Sequence, residues 1–157
     1  MSNLLEVVFE NVSKVNVSQL LLYLVYSAKR IVSADTSEDI ELLEDKRKLN
    51  KQAVESLISF SGDVTALIKL EEMKVDGIVL PLVLLRLVKY NDLYDIDFNF
   101  DRAELRHTDM PKLIKALHMS TSSLAKENDV KNWFAGMEPA SDENTRYFTN
   151  NELGSLK

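Results

Sequence analysis

The chain has no cysteine, and only four glycines, three prolines and two histidines in 157 residues. Without cysteine there is no disulfide framework, no thiolate nucleophile and no thiolate-bound metal. That suits a reducing cytosol. So few glycines and prolines argue against a many-turned β sandwich. There is no glycine-rich phosphate loop and no Gly-x-Ser-x-Gly elbow, so neither nucleotide chemistry nor serine hydrolysis has a scaffold in the sequence. His107 and His118 are eleven residues apart, which is not the spacing of a helical zinc pair. The longest apolar runs, Leu20 to Tyr26 and Ile78 to Leu85, fall far short of a membrane span. The start, Met1-Ser2-Asn3-Leu4-Leu5-Glu6, lacks the basic region of a signal peptide. No cofactor is called for, and no stretch carries a signature specific enough to assign a family.

Basic charge is also in deficit. The net charge is −6 at pH 7. A nucleic-acid binder normally carries a basic face, so the balance points away from DNA and RNA and towards a basic protein partner. The plainer reading is charge that keeps the chain soluble. At this length a single domain can bury roughly two thirds of its unfolded surface and needs no covalent staple.

What is present is apolar periodicity. Leu4, Leu5, Val8, Phe9 and Val12 fall on one helical stripe, with Asn3 as cap. Ser18 caps a second run carrying Leu21, Leu24, Val25, Ala28, Ile31 and Val32. Thr36 or Ser37 opens a long helix to about Phe60, whose core stripe is interrupted by Arg47 and Asn50. Further helices are expected over 64–74 and 78–90, separated by an Asp76-Gly77 turn. Thr108 or Asp109 caps another, with Pro111 in its first turn and Met110, Leu113, Ile114 and Leu117 on its face. Val130, Trp133, Phe134 and Met137 fit one more, and residues 138–157 read as a docked tail. Only Ile96, Phe98 and Phe100, alternating with acids, show the period of a strand. The expected fold is therefore mainly α: one helical domain of seven or eight helices, with a short extended segment near 95–100.

Three constellations could carry function. Asp95-Ile96-Asp97-Phe98-Asn99 resembles the opening of a calcium loop. A calcium loop then needs Gly where Phe100 stands and Glu where Arg106 stands, so the ligand set fails and no metal site is expected. The same residues, with Asp92 and Asp101, form an acidic strip that could meet a basic partner. Trp133 and Phe134 could add an aromatic anchor to such an interface, but aromatics also dominate small cores, and core is the plainer reading. Lys46, Arg47, Lys48 and Lys51 are the densest basic cluster; on a helix they spread over more than half the circumference, so a solvated face is the plainer reading, and a phosphate-contacting helix the alternative. His107 could act as a base only if the fold brought a nucleophile to it.

Two functional classes follow. The first is a non-catalytic cytosolic protein that neutralises or regulates a basic protein partner through Asp92, Asp95, Asp97 and Asp101, helped by Trp133 and Phe134. Small acidic proteins that block toxins or nucleases, such as immunity proteins and antitoxins, share this size and charge, an analogy at the level of class. The second is a helical nucleic-acid-binding or regulatory protein using Lys46, Arg47, Lys48 and Lys51. An enzyme ranks below both.

Overall fold

The computed structural model describes residues 3–45, 48–105 and 108–154. It overturns the helical expectation: among the described residues strand makes up 47% and helix 31%, with three α-helices in place of seven or eight. The strands are β1 (Leu4–Val12), β2 (Ala28–Thr36), β3 (Leu43–Asp45), β4 (Lys48–Leu49), β5 (Val64–Val75), β6 (Ile78–Tyr90), β7 (Leu93–Asp101), β8 (Asn132–Met137), β9 (Arg146–Thr149) and β10 (Glu152–Leu153). The helices are α1 (Lys14–Tyr26), α2 (Lys51–Ile58) and α3 (Met110–Glu127). Eight strands form one antiparallel sheet in the order β10-β9-β8-β1-β7-β6-β5-β2, and β3 pairs with β4.

The middle of the sheet is a meander whose turns are written in the sequence. Asp76 and Gly77 join β5 to β6 with φ of 44° and 83°. Asn91 and Asp92 join β6 to β7 with φ of 50° and 62°. Both are two-residue connections with left-handed central residues, the turn whose twist matches paired strands. β5, expected as a helix, alternates in burial from Val64 to Leu70; Glu72, at φ 55°, then interrupts the alternation. β6 hides its alternation because Val79, Leu82, Leu84 and Val88 are apolar on the outward side. β1 does the same through the doublets Leu4-Leu5 and Val7-Val8, which mimic a helical stripe. β7 is the expected extended segment, and its partners are β1 and β6.

All three helices lie against one face. Val17, Leu20, Leu21 and Leu24 of α1, Val54 and Leu57 of α2, and Leu113, Leu117 and Leu124 of α3 join Val7, Phe9, Leu85, Leu87, Ile96 and Phe98 in one buried cluster. α1 starts after Ser13, earlier than the Ser18 expected, and stops at Tyr26, so 28–36 is strand. The long helix expected over 36–60 shrinks to α2. Thr36 ends β2, and Ser37 Oγ accepts from Thr65 N at 3.0 Å. Asn50 does not interrupt a stripe: it is the N-cap of α2, its Oδ1 accepting from Gln52 N at 3.0 Å and Ala53 N at 3.2 Å. Arg47 lies outside the described residues. The C-terminal end of α2 is held by the buried Lys89, whose Nζ donates to Ile58 O and Phe60 O, and by Tyr94 Oη, which donates to Ile58 O at 2.5 Å. An ammonium there opposes the negative end of the helix dipole. No helix among the described residues is long and apolar enough to cross a membrane.

Candidate functional site

Among the described residues, the other face of the sheet carries no α-helix. Strand alternation sends one side chain in two to it, and the register aligns them in rows. One row runs Asp35, Leu67, Arg86, Asp97, Val8, Phe134 and Thr149 across β2, β5, β6, β7, β1, β8 and β9. The next holds Ser33, Lys69, Leu84, Asn99, Glu6 and Gly136. Acids thus gather on β1 and β7, while Leu67 and Leu84, each 38% exposed, lie on β5 and β6.

Arg86 organises the acids. Its Nε and one terminal nitrogen donate to Asp97 Oδ2 at 3.0 and 2.8 Å. The Asp97 side chain is 5% exposed and that of Arg86 46%, so the acid is buried under a guanidinium that faces water. That one cation acts on Asp97, Glu6, Glu138 and Asp95. Burial pushes the Asp97 carboxyl above the ordinary carboxylate range, against the pull of Arg86. Burial, and then repulsion from Asp97, raises Glu6 as well. Burial also raises Asp95, although Asn11 N donates to its Oδ1 at 2.8 Å and Tyr90 Oη at 3.2 Å. Asn11 can do so because it sits at φ 54° in an irregularity of β1 that turns its N–H towards β7. Glu10 Oε1 accepts from Asn132 Nδ2 at 2.8 Å. These acids are held in place by neighbours, so a partner would not have to order them.

One margin of the strip is the segment after β8. Ala140 N donates to Glu6 Oε1 at 3.3 Å, and Ala140 packs on Val8 and Phe134. The Arg146 guanidinium lies 3.9 Å above the Phe134 ring and donates to Ala140 O at 2.8 Å.

The residues singled out in the sequence separate. Asp95 and Asp97 share the outer face with Asn99, all three in a regular strand that makes no calcium loop. Among the described residues no three metal-ligating side chains converge. Asp92 is exposed in the β6–β7 turn. Asp101 ends β7, and its Oδ1 accepts from Ala103 N at 2.9 Å. Trp133 and Phe134 are strand neighbours, not partners on a helical face. Trp133, 6% exposed, faces the helices and donates from Nε1 to Ser122 Oγ at 3.1 Å. Phe134 lies on the outer face beneath Arg146. His118 stacks on Phe148 at 4.4 Å, and its Nε2 is 2.7 Å from Asn150 O, which occupies it in packing; His107 lies outside the described residues. So do Lys46 and Arg47. Lys48 is in β4 and Lys51 opens α2, so no single helix carries the basic cluster. Glu6, Glu10, Arg86 and Glu138 were not singled out, because nothing local in the sequence marks them. Hairpin register was the signal that could have found Arg86.

Comparison with known proteins agrees with a role in binding. Residues 3–153 match the family described as PABL017 Cdi1I immunity protein. Among solved structures, the chain is similar to one in a crystal structure of the toxic C-terminal tip of CdiA from Pseudomonas aeruginosa in complex with immune protein. That match has 31% identity and a TM-score of 0.85, and covers 100% of both chains. No curated protein matches.

Proposed function

The chain belongs to the PABL017 Cdi1I immunity protein family, and from that premise we propose that it is a non-catalytic inhibitor which binds a toxic protein domain through the acidic outer face of its sheet. The toxin surface it meets is basic, and binding takes place in the cytosol. The observation that carries this reading is the excess of fixed carboxylates on that face, with Arg86 placed among Asp95, Asp97, Glu6 and Glu138. Half-buried acids that repel one another gain most from an incoming cation, because the interaction is little screened there. Asp92 and Asp101 extend the charge to the two ends of β7, and steer approach more than they bind. Leu67 and Leu84 supply apolar area beside it. Phe134 contributes by holding Arg146, and Trp133 by fixing β8 from the core side.

The test is titration of a cognate toxic domain, sought as the product of the adjacent gene, with wild type and a Glu10→Lys/Asp95→Lys variant. The variant should bind at least about tenfold more weakly, which is about 1.4 kcal/mol, with a slower association rate and a flatter salt dependence. Unchanged affinity in a variant that melts like the wild type would overturn the acidic-face assignment.

A further inference from the structure

Asp95 is tied at a crossing of three strands. Its register partner on β6 is Val88, and Tyr90, opposite Leu93, stands diagonally beside it. Across such a diagonal a long aromatic side chain reaches its neighbour. Tyr90 Oη lies 3.2 Å from Asp95 Oδ1 and 2.8 Å from Asn11 Oδ1 of β1. Asn11 N, turned towards β7 at a φ of 54°, donates to the same Asp95 oxygen at 2.8 Å. Asp95 Oδ1 is thus committed twice. Asp95 Oδ2 takes no hydrogen bond from the described residues. The one buried side-chain oxygen left without a partner among them is Asn128 Oδ1, so Asp95 Oδ2 meets solvent.

A phenol has one proton, and here it faces two acceptors. The amide oxygen is nearer; the carboxylate is the stronger acceptor. Tyr90 therefore has two roles to choose between: pinning the irregular end of β1 through Asn11, or holding Asp95. Burial, and then the Asp95 charge, raises the Tyr90 phenol above its ordinary value, so the hydroxyl keeps its proton at neutral pH.

We propose that Tyr90 is a positioning residue for toxin recognition, acting through Asp95 to keep Oδ2 facing the incoming cation. This rests on the acidic-face reading and adds to it a residue that carries no charge. Three observations favour it over a structural pin. β1 does not need the pin, because Val12, next to Asn11, is 1% exposed and pairs again with Tyr94. Donors from β1 and β6 converge on one oxygen from both sides of β7, so the carboxyl cannot turn without losing both. Glu10 repels Asp95, so a carboxylate held by fewer bonds would swing off the strip.

Positioning has a kinetic signature that charge does not. Tyr90→Phe fills the same space and leaves the charge of the face unchanged, so the toxin association rate and its salt dependence should stay within about twofold of the wild type. The dissociation rate should rise about fivefold or more, because the carboxylate must then be ordered on binding. Asn11→Gly separates the two roles. Glycine keeps the N–H and accepts the left-handed φ, and without Oδ1 the phenol proton goes wholly to Asp95. This variant should bind at least as tightly as the wild type.

Carbon NMR titration of the Asp95 carboxyl in the free chain reads the same contact without toxin. Burial raises this carboxyl, the Asn11 N–H and the Tyr90 hydroxyl lower it, Glu10 raises it and Arg86 lowers it. Asp97, two residues along β7, also repels it. The midpoint should move to higher pH in Tyr90→Phe and should not rise in Asn11→Gly. A Tyr90→Phe variant that binds and titrates like the wild type overturns the proposal. So does a loss confined to association, or an Asn11→Gly variant that loses as much affinity as Tyr90→Phe, which would make the hydroxyl a structural pin. Glu10→Lys/Asp95→Lys, measured alongside, keeps the two readings apart. Unchanged binding by that variant sinks the acidic face and this assignment with it; weakened binding beside an unaffected Tyr90→Phe sinks this assignment alone.

Discussion

Leu84 and Leu85 are adjacent in β6, yet Leu84 is 38% exposed and Leu85 is 0% exposed. One leucine points to the acids, the other to the helices. The two faces of this sheet solve different problems. On the helix side, apolar side chains interlock, and two of the buried polar groups, Lys89 and Tyr94, are tied to the open end of α2. On the outer side the carboxylates are held by a few hydrogen bonds and one guanidinium, and remain electrostatically uncomfortable. Stability resides on the first face, and the proposed binding capacity on the second.

The largest test of that division uses the leucine pair. Leu85→Asp puts an unpaired carboxylate into the core and should abolish the cooperative unfolding transition. Leu84→Asp should leave the fold intact by circular dichroism, with a change within about 1 kcal/mol. Equal damage from both would erase the distinction between the faces. A reading of residues 78–90 as a buried helix predicts that Leu84→Asp unfolds the domain; the strand reverses that expectation.

Asp97 is where the division is least clean, since it belongs to the outer face and is nevertheless buried. Asp97→Lys should therefore destabilise, by roughly 1–3 kcal/mol in chemical denaturation, since the new ammonium is buried beside Arg86. Asp95→Lys, on the same strand and half-exposed, should cost less. Alternation alone places both acids away from Phe98 and Phe100 and predicts that reversing either spares the fold; burial beneath Arg86 withdraws that for Asp97. Third in size is Asn50→Ala, which removes the cap of α2 and should lower stability by about 1 kcal/mol.

The smallest effect distinguishes the faces by pH. The carboxyls of Glu6, Asp95 and Asp97 titrate higher in the folded chain than ordinarily. A raised carboxyl favours folding when protonated, so this contribution is present at low pH and lost as pH rises through the raised values. The free chain should thus melt slightly higher as pH is lowered from 7 towards the upper end of carboxylate titration. In Glu6→Gln that gain should shrink. A melting temperature that falls steadily over the same interval would mean that the outer face is not under electrostatic load.

How much of this was legible in the sequence depends on the element. α3 was, because Asp109, Pro111 and a one-sided apolar stripe agree. β7 was, because its outward residues are acidic and expose the period of two. β1 and β6 were not, because they are interior strands with apolar residues on both faces, and periodicity cannot separate such a run from a buried helix. The Asp76-Gly77 and Asn91-Asp92 pairs held the missing information. Counting four residues outward from Tyr90 and Leu93, which pair across the second turn, reaches Arg86 and Asp97, so the central ion pair follows once the hairpin is recognised. Glu6 and Glu138 required tertiary structure, since they reach the strip from opposite ends of the chain.

The place of β1 in the sheet also sets an order in time. Residues 4–12 pair with 93–101 on one side and 132–137 on the other. Once made, β1 therefore waits about 5–20 s for its first neighbour, at ordinary rates of translation. It waits longer still for its second. Until then its Leu, Val and Phe side chains and both of its edges are open to chaperones or to other nascent chains. Glu6, on that strand, meets Asp97 only when β7 arrives, and Ala140 only after β8. A chain that stops before β8 lacks the second neighbour of β1 and the Ala140 N–H that holds Glu6.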